Sequence, residues 1–228
     1  MNEARIPSLL RDAISRDLEP VRPLASPALR ALALLPVGVL LLVAFPAFWS
    51  WQHHVARLPS PAWVLSAVET LLSLLVLGAC FREAVPGRSL STRAIACVLG
   101  VSGLVFVWVN LTTRSPAGVS EALLLQWFGE CITTALTYSI PALIAPAWLV
   151  SRALPGRPAL TGALCGLGTG LMADAGMRII CRDGDYVHVL VAHGGAILIL
   201  VALGALSACA IEVIKARRLR RVRAGGVS

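Results

Sequence analysis

Residues 31–51 read Ala31-Leu-Ala-Leu-Leu-Pro-Val-Gly-Val-Leu-Leu-Leu-Val-Ala-Phe-Pro-Ala-Phe-Trp-Ser-Trp51, without a single charged side chain. About 20 mostly apolar residues suffice for a helix to cross the hydrocarbon of a bilayer, so this stretch is long enough to span. Working outward along the chain, five more stretches share its character: 62–81, 94–111, 129–150, 159–177 and 187–211. The third is the shortest and the sixth the longest. All run apolar continuously, without the alternation a barrel strand requires. Pro and Gly punctuate several short connections: Leu58-Pro-Ser-Pro61, Val85-Pro-Gly87 and Leu154-Pro-Gly-Arg-Pro158. The expected fold is an all-α membrane protein, a bundle of six transmembrane helices.

Composition agrees. Of 228 residues, 57% are hydrophobic and 14% charged, and the mean hydropathy is +0.79; a soluble domain carries about 25% charge. Three regions follow: a cytoplasmic amphipathic segment at 1–27, the transmembrane domain at 28–211 and a basic cytoplasmic tail at 212–228. The bases set the orientation. With the N-terminus in the cytoplasm, 16 of the 20 Lys and Arg fall on the inner side, leaving Arg57, Arg114, Arg178 and Arg182 outside. The positive-inside rule therefore places both termini in the cytoplasm. The tail Arg217-Arg-Leu-Arg-Arg-Val-Arg223 reads as a retention signal and anionic-lipid contact rather than a nucleic-acid patch. No cleavable signal peptide is expected, because the first apolar stretch follows about 30 hydrophilic residues.

In the N-terminal segment, Ile6, Leu9, Leu10, Ala13, Ile14 and Leu18 recur at helical spacing among Arg11, Asp12, Arg16 and Asp17. Pro7 suits a first helical turn and Pro20 follows its end. Such a helix docks either in a partner's groove or on the membrane surface, and the pattern alone favours neither.

The cysteines divide by side. Cys80, Cys97, Cys165 and Cys209 fall in cytoplasmic halves of their helices and read as packing residues. Cys131, at the outer start of the fourth span, and Cys181, after the fifth, face the opposite compartment. In a Gram-negative cell that compartment is oxidising and permits a disulfide. Arg178 and Arg182 flank Cys181 and favour its thiolate, whereas Glu130 precedes Cys131. Cys181 is thus expected to be the more reactive thiol and Cys131 the resolving one, although Asp183 and Asp185 oppose that field. His53, His54, His188 and His193 share the outer side. Thiolate and imidazole together suit zinc, cadmium or copper(I). Without Cys-x-x-Cys or His-Glu-x-x-His spacing the metal signal is weak, and the histidines read as ordinary interfacial residues.

Within the bilayer, Glu69 lies roughly 12 Å into the second span. An ionised carboxylate there costs about 2.5–3.5 kcal/mol on an insertion scale, so it is expected neutral and hydrogen-bonded between helices, or functional. Asp174 and Arg178, four apart, are placed to pair. Gly162, Gly166 and Gly170 form a small-xxx-small face for close helix packing. Pro141 and Pro146 should bend the fourth span.

No Ser/His/Asp set, catalytic carboxylate pair or phosphate loop appears, so no enzyme and no cofactor is expected. A transporter or channel using Glu69 is the alternative, but it lacks repeated halves. Outward thiols, a compact membrane body and a cytoplasmic docking helix together have the anatomy of a sensor.

Several stretches resemble the NrsF family: Asp17-Leu-Glu-Pro-Val-Arg-Pro-Leu24, Ala84-Val-Pro-Gly-Arg-Ser89 and Pro158-Ala-Leu-Thr-Gly-Ala-Leu-Cys-Gly-Leu167, with one Cys near the start of the fourth span and one after the fifth. These are six-span anti-sigma factors of proteobacteria. The resemblance implies an inner-membrane protein that sequesters an extracytoplasmic-function sigma factor through its N-terminal segment, with Ile6, Leu9, Leu10, Ile14 and Leu18 as contact residues and no direct contact with nucleic acid. It further implies that Cys131 and Cys181 sense oxidants or heavy metals and release the partner. His188 and His193 match no motif of the family.

Overall fold

The computed structural model describes residues 24–52, 60–113, 121–153, 155–181 and 186–225. Six helices are long and apolar enough to cross a membrane: α1 (Pro27–Phe48), α2 (Ala62–Glu83), α3 (Thr92–Thr112), α4 (Gly129–Ser151), α5 (Pro158–Ile180) and α6 (Val189–Arg218). Each overlaps one of the six stretches expected from hydropathy, and α3 and α6 are the shortest and longest. Ile6, Leu9, Leu10, Ile14 and Leu18, expected from the sequence as contact residues, lie outside the described residues, as do His53 and His54.

Helix α1 begins where Ser26 accepts the backbone N–H of Leu29 at 3.3 Å, with Pro27 in the first turn. It breaks at Ala33–Leu34, resumes at Leu35 with Pro36 in its first turn, and carries a π-helical turn over Leu40–Ala44. Pro141 and Pro146 both sit inside one continuous helix, Glu121–Ser151.

Helix α5 is the axis of the bundle. Its most apolar window is 89% buried, against 17% for α3 and for α6. Glycines on several faces permit this. A methyl group at Gly162 or Gly166 would overlap the carbonyl oxygens of Gly204 and Leu200 on α6. At Gly168 it would meet Leu77 on α2, and at Gly176 the carbonyl of Leu41 on α1. Neighbouring backbones thus approach α5 from three directions, as small residues allow in lipid, where helices gain from packing rather than from escaping water. The outer helices instead turn Leu71, Leu75, Leu104, Ile144, Leu198 and Leu206 outward, the apolar exterior a bilayer requires. Cys80 and Cys165 are buried in the core cluster between α2 and α5, and the Cys80 thiol donates to the Thr161 carbonyl at 3.2 Å.

At the end of the bundle opposite Cys181, the α2–α3 and α4–α5 connections are tied together. Arg157 makes a two-point pair with Glu83 at 2.7 and 2.8 Å. Glu83 also accepts the Leu90 N–H at 2.7 Å, and Arg157 donates to the Leu90 carbonyl at 2.8 Å. The turn between them needs Gly87, whose φ of 77° disfavours a side chain. Nearby, Arg30 is buried, bonds the Leu149 carbonyl and lies over the Phe81 ring at 4.6 Å, joining α1 to α4 and α2.

Candidate functional site

Four side chains from three segments meet at the other end. Cys131 projects from near the start of the α4 span, within the continuous helix Glu121–Ser151. Cys181 is the residue at which α5 ends: its N–H still closes onto the Met177 carbonyl at 2.8 Å, while its own backbone is extended. His188 and His193 come from the start of the last helix. The Sγ atoms of Cys131 and Cys181 stand 3.8 Å apart, and no disulfide joins them. Cys181 Sγ lies 3.6 Å from His188 Nε2. One ligand atom from each of the four residues lies within 4.8 Å of the others.

Helix geometry explains the pairing of histidines. In an α-helix, residues five apart point about 140° away from each other. Here Val189–His193 is π-helical, and its i→i+5 bonding brings residue i+5 round towards residue i. The two rings lie edge to face, centroids 5.8 Å apart. Both are buried, at 1% and 3% exposure. They are not interfacial histidines, the reading their sequence context suggested. The spacing His188-x4-His193 falls within the His-x3–5-His range of zinc sites; that was the available signal.

Behind His193 runs a line of buried charge. Its Nδ1 is 2.6 Å from Asp174 Oδ1. Asp174 Oδ2 accepts from Arg178 Nη2 at 2.6 Å, and the same nitrogen donates to Glu69 Oε2 at 2.6 Å. Asn110 of α3 donates to Asp174 and accepts from Arg178, each at 3.4 Å, and Ser66 lies 3.5 Å from Arg178 Nη1. The expected Asp174–Arg178 pair is present, but it is one part of a larger cluster. Glu69 is salt-bridged rather than held only by neutral hydrogen bonds. Arg178 is a buried residue of α5, not an outer-flank base, and Arg30 is likewise buried within α1, so the charge count for orientation becomes fifteen against three.

That position also changes why Cys181 is acidic. Arg178 is turned inward to Glu69 and Asp174. The hydrogen bond from Cys131 holds the Cys181 thiol well below its usual range, against burial, with His188 and His193 adding to the effect. The causes are the neighbouring thiol and imidazoles rather than the flanking Arg178. Among the described residues, the site brings together Cys131, Cys181, His188 and His193, and wires them through Asp174 to α2, α3 and α5.

The chain matches the family model described as "Negative regulator of sigma F" over residues 14–211, which leaves Ile6, Leu9 and Leu10 outside the match. No curated protein and no solved structure matches. The match covers α1 to α5 and α6 as far as residue 211, with the site in it, and the description is regulatory rather than catalytic. The chain belongs to the NrsF family of membrane anti-sigma factors, negative regulators of sigma F.

Proposed function

We propose that this anti-sigma factor is a transmembrane thiol switch of the inner membrane, with both termini in the cytoplasm. The segment 1–27, through Ile6, Leu9, Leu10, Ile14 and Leu18, holds an extracytoplasmic-function sigma factor. Cys131 and Cys181, on the periplasmic face, govern its release. The observation that carries this reading is the 3.8 Å approach of the two Sγ atoms, one fixed to α4 and the other to the end of α5. A peroxide-class oxidant takes two electrons and two protons from the pair, leaving a disulfide and two waters. Closing that bond draws α4 towards the end of α5.

The charge cluster supports transmission, since His193 on α6, Asp174 and Arg178 on α5, Glu69 on α2 and Asn110 on α3 are joined by hydrogen bonds. A displacement at the thiols is thus felt by most of the bundle. Moving the equilibrium from 99:1 to 1:99 takes about 5.5 kcal/mol of differential free energy. The transporter reading loses its premise, because Glu69 is fully buried and paired with Arg178.

A transcriptional reporter for the partner sigma factor tests the reading in cells. Oxidant should raise reporter output with the wild-type protein and leave it unchanged with Cys131→Ser/Cys181→Ser. Equal induction in both would overturn it.

A further inference from the structure

We propose that Cys131, Cys181, His188 and His193 form a tetrahedral two-sulfur, two-nitrogen site for a divalent d10 cation, zinc or cadmium, with Asp174 as the residue that positions His193. The regulatory meaning of this site rests on the thiol-switch reading; the binding itself does not.

The spacing fits such an ion. With metal–sulfur bonds of about 2.3 Å and metal–nitrogen bonds of about 2.0–2.1 Å, tetrahedral angles put two sulfurs about 3.8 Å apart and sulfur and nitrogen about 3.6 Å apart. The two thiol sulfurs are 3.8 Å apart and the Cys181 sulfur is 3.6 Å from His188 Nε2. All four ligand atoms lie within 4.8 Å of one another, so small side-chain shifts complete the tetrahedron.

The second observation is on His193. Its Nδ1 is held by Asp174 at 2.6 Å, and its Nε2 is buried without a hydrogen-bond partner. A buried polar atom with no partner is costly. With Nδ1–H donated to the carboxylate, Nε2 presents a lone pair, the carboxylate–histidine arrangement that orients zinc ligands. Two thiolates and two imidazoles suit zinc or cadmium better than the hard cations, which take oxygen. Binding displaces any proton still on the two thiols into solvent, and each imidazole donates one lone pair.

The test is cadmium titration of the full-length reduced protein in detergent, followed by sulfur-to-cadmium charge-transfer absorbance. The wild type should bind one cadmium per chain, with competition by zinc. His193→Ala and His188→Ala should each weaken binding at least tenfold, and Asp174→Asn by about 10–100-fold, while peroxide still joins Cys131 to Cys181 in all three. Helical content by circular dichroism selects the variants that fold. Wild-type affinity in the folded histidine variants would mean a dithiolate-only site and overturn the proposal, as would binding that survives Cys131→Ser/Cys181→Ser. Tight, histidine-dependent binding in a protein whose sigma-factor complex ignores oxidant would sustain the metal site and reject the thiol-switch reading. A complex that responds to oxidant with histidine-independent cadmium binding would do the reverse.

Discussion

Replacing Arg178 by Met removes the guanidinium from the buried cluster and leaves a side chain of similar reach. Arg178 Nη2 serves Glu69 and Asp174 at once, at 2.6 Å each. Asp174 keeps His193 and Asn110 after the change, but Glu69 loses the guanidinium that donates to its Oε2, and its Oε1 is already buried without a hydrogen bond. Breaking a buried ion pair from one side costs about 3–5 kcal/mol, or roughly two to four orders of magnitude in the folding equilibrium. Neutralising the whole set should restore most of that loss: Glu69→Gln/Asp174→Asn/Arg178→Met removes the stranded charge and is expected within about 1 kcal/mol of wild type. Unfolding in mixed micelles titrated with sodium dodecyl sulfate, read by circular dichroism, gives both differences. Two results would refute the reasoning. One is an Arg178→Met variant within about 0.5 kcal/mol of wild type, the scale of an ordinary surface change. The other is a triple variant no more stable than the single one.

Two further outcomes follow from the packing and from the thiols. Gly166→Ala sets a methyl against the Leu200 carbonyl and should destabilise by at least the 1–3 kcal/mol or so typical of overpacking. Gly100→Ala, with open space around it, should be neutral or stabilising by up to about 1 kcal/mol; the same micelle titration checks both. The Cys181 thiol is more acidic folded than unfolded, so its contribution to stability is present above its unfolded pKa and lost as pH falls through the lower folded value. Thiolate absorbance should therefore persist below the ordinary thiol range of about 8.5, and Cys131→Ala should move its loss to higher pH; an unchanged profile would contradict the assigned hydrogen bond.

The six helices were legible because hydropathy over 20 residues is a strong signal and lipid contact enforces it on the exterior. Close packing of α5 on a neighbour was legible from Gly162, Gly166 and Gly170, whose spacing marks one face, but that the neighbour is α6 was not. That α5 is the axis was less so: it depends on Gly168 and Gly176, which fall outside that stripe and admit α2 and α1. The two cysteines could be assigned to one side by counting spans. The convergence of His188 and His193 on those thiols was not legible, because α-helical periodicity separates the two histidines and only the π-helical turn aligns them. Pairing of Glu69 with Arg178 spans 109 residues of sequence, and no local pattern encodes which buried acid meets which buried base.

In the proposed switch, periplasmic thiols control the grip on a cytoplasmic sigma factor. Its most direct test is the lifetime of the complex purified in detergent with that sigma factor, measured before and after peroxide for the wild type and for Cys131→Ser/Cys181→Ser. A lifetime that changes with oxidant in the wild type alone is the predicted result. A complex whose lifetime is the same in both proteins and both conditions would contradict the account.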